Sequence, residues 1–365
     1  MESKAAYTYY AAFIPGLQDV VAEVIKERLT DVTLRKLLDG AVIFETETSY
    51  DKLNFFCFNN IFAVISIIEH RECHGTLVPA ASAASALETH INSVINKSLT
   101  REAAGIISSN SKKIQSFRIA VSRENTPAAI DEKLRAAAEG YISRLSGLKV
   151  NRSSPDAEFW FLFRRVESPP NFSVFMKRLT LRPSWEKSLH SGELPPPLAW
   201  TLCRLAHLKY GDTVLDPFCG YGSIPDAALK HFHIAKFIAC DNNGEAAAYT
   251  AARFKKRKEG EFVLHKADFL SLPALITEKS IDVVITDPPW GLYREIQDER
   301  FYERMFGVFA KLIKDGGRVI VLCANKEELL GAVPACFKLQ GSIPILLSGK
   351  KAAIFQFVKK GTDTC

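Results

Sequence analysis

Four aspartates, Asp216, Asp241, Asp268 and Asp287, each follow an apolar run in the second half of this 365-residue chain. The runs are Thr213 to Leu215, Ile234 to Cys240, Phe262 to Ala267 and Ile281 to Ile285. Short runs rich in Val, Ile and Phe, alternating with longer segments, are the pattern of buried parallel strands joined by crossover helices. Strands of a doubly wound sheet bring their carboxyl ends to one edge, where ligands bind. A single aspartate after a strand is most often a helix cap. Four in succession, with a glycine turn after the first and a double proline after the last, predict a ligand-binding edge in an α/β fold.

The last of these ends is Asp287-Pro288-Pro289-Trp290. Two prolines fix two φ angles and remove two backbone donors, so the strand stops and its carbonyls hold one direction. The Asp287 carboxylate and the Pro288 carbonyl are two acceptors suited to both hydrogens of an exocyclic NH2 group. Trp290 offers a flat face to a base, worth roughly 1–3 kcal/mol in single-stranded nucleic-acid sites, and Gly291 keeps the approach open. The blander reading is a Pro-Pro turn with Asp287 as a local cap and Trp290 as a core aromatic.

Upstream, Val214-Leu215-Asp216-Pro217-Phe218-Cys219-Gly220-Tyr221-Gly222 reads as a strand, a glycine turn and a helix start. Glycines let backbone N–H groups approach a ligand, and the following helix adds a favourable dipole end. Only Gly220 and Gly222 are present, so this is not the three-glycine nicotinamide fingerprint. Asp241, at the end of the second strand, suits the two hydroxyls of a ribose. Asp268 is placed to accept from an adenine amino group, with Phe269 against the ring.

Val214 to Gly222 resembles the first S-adenosylmethionine motif of class I methyltransferases, and Asp287 to Trp290 resembles the catalytic motif of amino-methyltransferases acting on bases. The segment Leu181 to Ala199, with Leu194 and the prolines Pro195-Pro196-Pro197, is similar to the piece preceding the cofactor domain in THUMP-containing tRNA guanine N2-methyltransferases. The resemblance implies S-adenosyl-L-methionine as cofactor and tRNA as partner, with a small activating subunit in eukaryotic relatives. It implies cofactor contacts from Asp216, Phe218, Gly220, Gly222, Asp241, Asn242, Asp268, Phe269, Leu194 and Pro196. Asp287 and Pro288 would hold the target amine, and Trp290 would stack on the flipped base. Two residues depart from the pattern: Tyr221 stands where a small residue usually separates the glycines, and Trp290 replaces Tyr or Phe.

The same resemblance divides the chain into a ferredoxin-like domain (1–70), a THUMP RNA-binding domain (71–168), a linker (169–197) and a Rossmann-like methyltransferase domain (198–365). In the front half, Tyr7 to Ile14, Val42 to Glu45, Phe117 to Val121 and Ala157 to Val166 read as strands, and Leu17 to Ile25 and Ala128 to Leu145 as helices. Leu53 to Ile68 reads as a mostly buried helix, or helix plus strand. Pro79 to Leu87 reads as a helix or a boundary. The linker prolines suggest a strap crossing the cofactor site. Near the carboxyl terminus, Phe337 to Gln340 and Ala352 to Val358 read as the last two strands, joined around Pro344 and Gly349.

Composition supports this division. Net charge is +6, and between Arg101 and Arg152 ten basic side chains face five acidic ones, a bias that suits a polyanion. Eight cysteines form no CxxC pair, so no metal is expected and reduced thiols in a cytoplasmic protein are. The competing functions are an adenine N6-methyltransferase acting on DNA or rRNA, a nicotinamide oxidoreductase and a non-enzymatic RNA-binding protein.

Overall fold

The computed structural model describes residues 6–71, 80–97, 99–109, 113–124, 126–166, 170–180, 189–257, 260–290, 298–347 and 349–361. The chain forms two compact units. The first comprises Met1–Ala12, Gln18–Asn54 and Asn59–Arg182; the second comprises Phe13–Leu17, Phe55–Phe58 and Pro183–Cys365.

The first unit runs β1 (Tyr7–Ala12), α1 (Gln18–Arg28), β2 (Thr33–Leu38), β3 (Ala41–Thr46), β4 (Asn60–His70), α2 (Ala80–Asn96) and α3 (Arg101–Ser108). It continues through β5 (Ser116–Arg123), β6 (Thr126–Pro127), α4 (Glu132–Ser146), β7 (Lys149–Val150), β8 (Ala157–Arg164) and β9 (Asn171–Arg178). All nine strands share one sheet, ordered β2-β3-β1-β4-β9-β8-β5-β6, with β7 beside β5. Local chemistry sets the helix ends. The Asp131 carboxylate accepts the N–H groups of Lys133 and Leu134 to start α4, and Gly147, at φ 73°, ends it. Phe117, Phe159, Phe161 and Phe175 form a core with residues of α2, α3 and α4, and Phe161 stacks on Phe175 at 4.2 Å.

Three expectations change here. Leu53 to Ile68 holds no α-helix; β4 begins at Asn60. Its apolar residues enter two cores, Ile65 one and Phe62 and Val64 the other, which erased the alternation that marks a one-sided strand. The expected linker contains β9, buried between β4 and β8. The sheet therefore runs unbroken through the expected boundary at 70/71, because β9 pairs with β4 on one side and β8 on the other.

The second unit runs α5 (Pro196–Leu205), β10 (Thr213–Asp216), α6 (Ser223–His231), β11 (Lys236–Cys240), α7 (Gly244–Phe254), β12 (Phe262–His265) and α8 (Leu272–Leu275). It ends with β13 (Ile281–Thr286), α9 (Phe301–Leu312), β14 (Ile313–Cys323), α10 (Lys326–Gly331), β15 (Phe337–Leu347) and β16 (Lys350–Lys359). The sheet order is β12-β11-β10-β13-β14-β16-β15. Strands β10 to β14 are parallel, and β16 is antiparallel to both β14 and β15. Strand order reverses between β10 and β13, which creates a crevice at their carboxyl ends. Pro344 lies inside β15, opposite Ala353, and not in the turn expected there. An edge strand tolerates it because one side of its ladder needs no donor.

Two short segments from early in the chain complete this unit. Pro15 O accepts the N–H of Leu346 at 3.1 Å. Gly16 has φ +97°, and a Cβ there would stand 2.0 Å from Pro344 O, so only glycine fits. Phe56 packs against His231 at 3.9 Å and Trp200 at 6.2 Å.

Cys57 is buried, and Cys203, Cys219, Cys240 and Cys323 are buried free thiols, whereas Cys336 is disulfide-bonded, contrary to the expectation of reduced thiols. Among the described residues no helix is long and apolar enough to cross a membrane, and no His, Cys, Asp and Glu cluster could hold a metal ion.

Candidate active site

The four aspartates sit at adjacent strand ends, in different environments. Asp216 is fully buried at the end of β10. Its Oδ1 accepts Phe218 N at 3.1 Å and Thr286 Oγ1 at 2.9 Å, while Oδ2 has no partner. Burial pushes its carboxyl up to about 7. Asp287 follows β13, and its Oδ1 is likewise buried and unpartnered. Burial, and then repulsion from Asp216, raises its carboxyl well above the usual range.

Asp241 ties the glycine loop to β11. Its Oδ2 accepts Gly220 N and its Oδ1 accepts Asn243 N, both at 2.7 Å. Gly222, at φ +87°, brings the loop so close to α7 that a Cβ would meet Thr250 Oγ1 at 3.0 Å and the Phe254 ring at 3.1 Å. Gly220 faces open space. Asp268 is exposed; its Oδ1 caps Leu270 N at 2.9 Å and its Oδ2 accepts Asn242 Nδ2 at 3.4 Å. Phe269 is buried, its ring 5.0 Å from that of Phe218.

Two cavities meet at Asp287. The smaller, about 50 Å³, is walled by Asp216, Phe218 to Tyr221, Ser223 and Ile224. The larger, about 340 Å³, is walled by Leu189 to Pro195, Asp287 to Trp290, Leu347 and Lys350. Gly192, Glu193 and Leu194 line both, so the described part of the expected strap, 189–195, walls the two cavities; residues 181–188 and Gly291 lie outside the described residues. Trp290 is held by both ends: its indole N–H donates to Leu322 O at 3.1 Å, and its carbonyl accepts Asn325 Nδ2 at 3.3 Å.

Of the expected site residues, Asp216, Phe218, Gly220, Leu194, Asp287, Pro288 and Trp290 line these cavities. Gly222, Asp241, Asn242, Asp268 and Phe269 stand behind or beside the wall. Pro196 is exposed at the start of α5 and lines neither cavity; its neighbour Pro195 does.

Sequence reasoning missed the residues that hold the strap down. His190 stacks on Tyr221 with ring centroids 3.9 Å apart, and Tyr249 meets both rings edge-on. Glu193 Oε1 accepts Ser223 Oγ at 3.3 Å and Arg253 Nη1 at 3.4 Å. Arg253 also donates to Tyr221 O and pairs with Asp226. The unusual Tyr221 between two glycines was the available signal.

The donor set suits a nucleoside that carries a positive charge beside a transferable group. Among the described residues, two buried carboxylate oxygens lack partners, a glycine faces open space, and no cation stands in the wall of the small cavity.

Residues 183–335 match the UPF0020 family model, the RMKL-like methyltransferase domain. A tRNA (guanine(10)-N2)-dimethyltransferase of Methanocaldococcus jannaschii is 29% identical over 52% of this chain and 56% of its own length. The U6 snRNA (guanine-N(2))-methyltransferase THUMPD2 of Bos taurus is 25% identical over 50% of this chain and 35% of its own. The chain thus spans about half, or less, of these two relatives. A tRNA (guanine(6)-N2)-methyltransferase of Thermus thermophilus is 29% identical over 67% of this chain and 72% of its own. The crystal structure of TrmN from Thermus thermophilus superposes with a TM-score of 0.75 at 21% identity, covering 97% of this chain and 99% of that one. The architecture is accordingly an N-terminal THUMP-like sheet and a C-terminal class I methyltransferase sheet.

Proposed function

We infer that this chain, a member of the THUMP-domain, S-adenosylmethionine-dependent tRNA guanine N2-methyltransferase family, transfers a methyl group to the exocyclic 2-amino group of a guanosine in tRNA. The observation that carries the reading is the junction at Asp287, where the Asp-Pro-Pro-Trp wall and the glycine-loop wall share one carboxylate.

S-adenosylmethionine, when bound, supplies an already activated methyl group, so the protein's task is alignment. In this reading Asp216, Phe218 and the Gly220–Gly222 loop hold the cofactor, with Asp241, Asn242, Asp268 and Phe269 toward its nucleoside. Leu194 and the strap exclude water from the junction. Asp287 and the Pro288 carbonyl accept the two amine hydrogens and favour the pyramidal nitrogen that attacks. The Trp290 ring offsets part of the cost of unstacking the base. Asp287 takes the proton displaced from nitrogen. The nine-stranded unit carries the tRNA, through basic side chains between Arg101 and Arg152.

The test is nucleoside mass analysis after incubation with labelled donor and, in separate arms, total tRNA, U6 snRNA and duplex DNA. N2-methylguanosine in tRNA is the expected product. Methyl on adenine N6, or in DNA, overturns the assignment; label confined to U6 snRNA transfers it to the other RNA.

A further inference from the structure

Asp216 and Asp287 line one cavity of about 50 Å³, and each leaves a buried carboxylate oxygen without a hydrogen-bond partner. Asp216 is wholly inaccessible, and its other oxygen is already engaged by Thr286 and Phe218. Among the described residues, the titratable groups facing it from neighbouring elements are acids: Asp241, Glu193 and the thiols of Cys203, Cys219 and Cys240. Asp287 faces the Cys323 thiol, and Lys350 lines the larger cavity that it also borders. Two carboxylates on so small a space, each with a buried oxygen left unpaired, cannot both stay ionised without a cation.

We propose that Asp216 and Asp287 act as one unit, holding a single proton between them in the free protein and releasing it to solvent when the sulfonium centre of a bound nucleoside lies beside them. This rests on the function inferred above and deepens it, because it makes Asp287 a base only when a charged donor is present. The balance closes over one turnover. As the S–CH3 bond breaks and the N–CH3 bond forms, sulfur becomes a neutral thioether and positive charge passes to the amine. The amine then gives its proton to Asp287, and the pair is back to one proton as the cavity loses its cation. The neutral product is therefore matched to the protonated pair, and the charged donor to the deprotonated one.

Calorimetric titration of the full chain with S-adenosylmethionine and with S-adenosylhomocysteine, each in two buffers of different ionisation enthalpy near neutral pH, tests this directly. About one proton should leave per sulfonium bound and close to none per thioether, so sulfonium affinity should rise by up to about tenfold for each unit that the pH is raised toward neutrality, while thioether affinity stays level. Asp287→Asn should abolish the difference, and Asp216→Asn, checked for folding by circular dichroism, should do the same. Equal proton release by both nucleosides, or a difference that survives in Asp287→Asn, overturns the proposal. Failure of both nucleosides to bind overturns the reading of the site, and the shared proton with it.

Discussion

The His190 imidazole lies parallel to the Tyr221 ring, with planes 7° apart, so a strap residue on the wall of the larger cavity and a glycine-loop residue on the wall of the smaller one form one stacked pair. Such pairs contribute about 0.5–1.5 kcal/mol beyond their buried area. His190→Ala and Tyr221→Ala should each weaken S-adenosylmethionine binding about two- to tenfold, mainly through faster dissociation seen by stopped flow. Tyr221→Phe keeps the ring and should behave as wild type. An unchanged dissociation rate in His190→Ala would mean that the stack does not hold the strap.

Asp287 and Asp241 should separate chemistry from binding. Asp287→Ala should reduce methyl transfer by several orders of magnitude and leave affinity for the neutral S-adenosylhomocysteine largely intact. Asp241→Ala removes the acceptor for Gly220 N and Asn243 N as well as the proposed ribose contact, so affinity should fall first. Equilibrium binding measured beside single-turnover rates distinguishes the two; parallel loss of both quantities in a folded Asp287→Ala would end the clamp assignment.

Trp290→Phe should keep a stacking face but lose the hydrogen bond to Leu322 O. A net cost of about 1 kcal/mol is expected from that bond, visible as a lower urea midpoint, with transfer reduced far less than in Trp290→Ala. Equal transfer by the Phe and Ala variants would argue against a stacked base.

His90 should make the first unit acid-sensitive. It is fully buried, with Ser66 Oγ 2.8 Å from Nε2 and Ser173 Oγ 2.7 Å from Nδ1. Burial, and then His70, lowers it to about 3 from an ordinary 6.5. The unfolded chain therefore binds more protons between those values, so His90 leaves stability intact above 6.5 and removes it as pH falls toward 3. His90→Gln should lose less stability than wild type between about pH 7 and about pH 4, measured by urea unfolding. An identical pH dependence in the two proteins would contradict a buried neutral imidazole.

Much of the second unit was legible because its strand ends carry aspartates and its strands are short, apolar and bounded by turn residues. β9 was not legible. Pro169 and Pro170 advertise a linker, while Phe172, Val174 and Met176 enter one core and Phe175 the opposite one, which leaves no alternation to read. β15 was cut short at Pro344 because edge position, which tolerates proline, is a property of the sheet and not of the strand. The site divides in the same way. Asp216 and Asp287 were visible from their own neighbours in sequence, whereas Glu193, Arg253 and His190 act through partners 30 or more residues away. Tyr221, noticed as a departure from the usual small residue, was a trace of that long-range packing.

Gly16 and Phe56 give the second unit a debt to the first sixty residues. The second unit is not a continuous stretch that one cut can excise: a fragment beginning at Pro183 would lack the carbonyl that accepts Leu346 N and the ring that packs on His231. On the ribosome those segments emerge long before the sheet they complete, and must wait, unpaired, for β15 and α6 to be made. Gene fusion or domain exchange at the apparent boundary would therefore yield a methyltransferase sheet with an edge and a helix face left open.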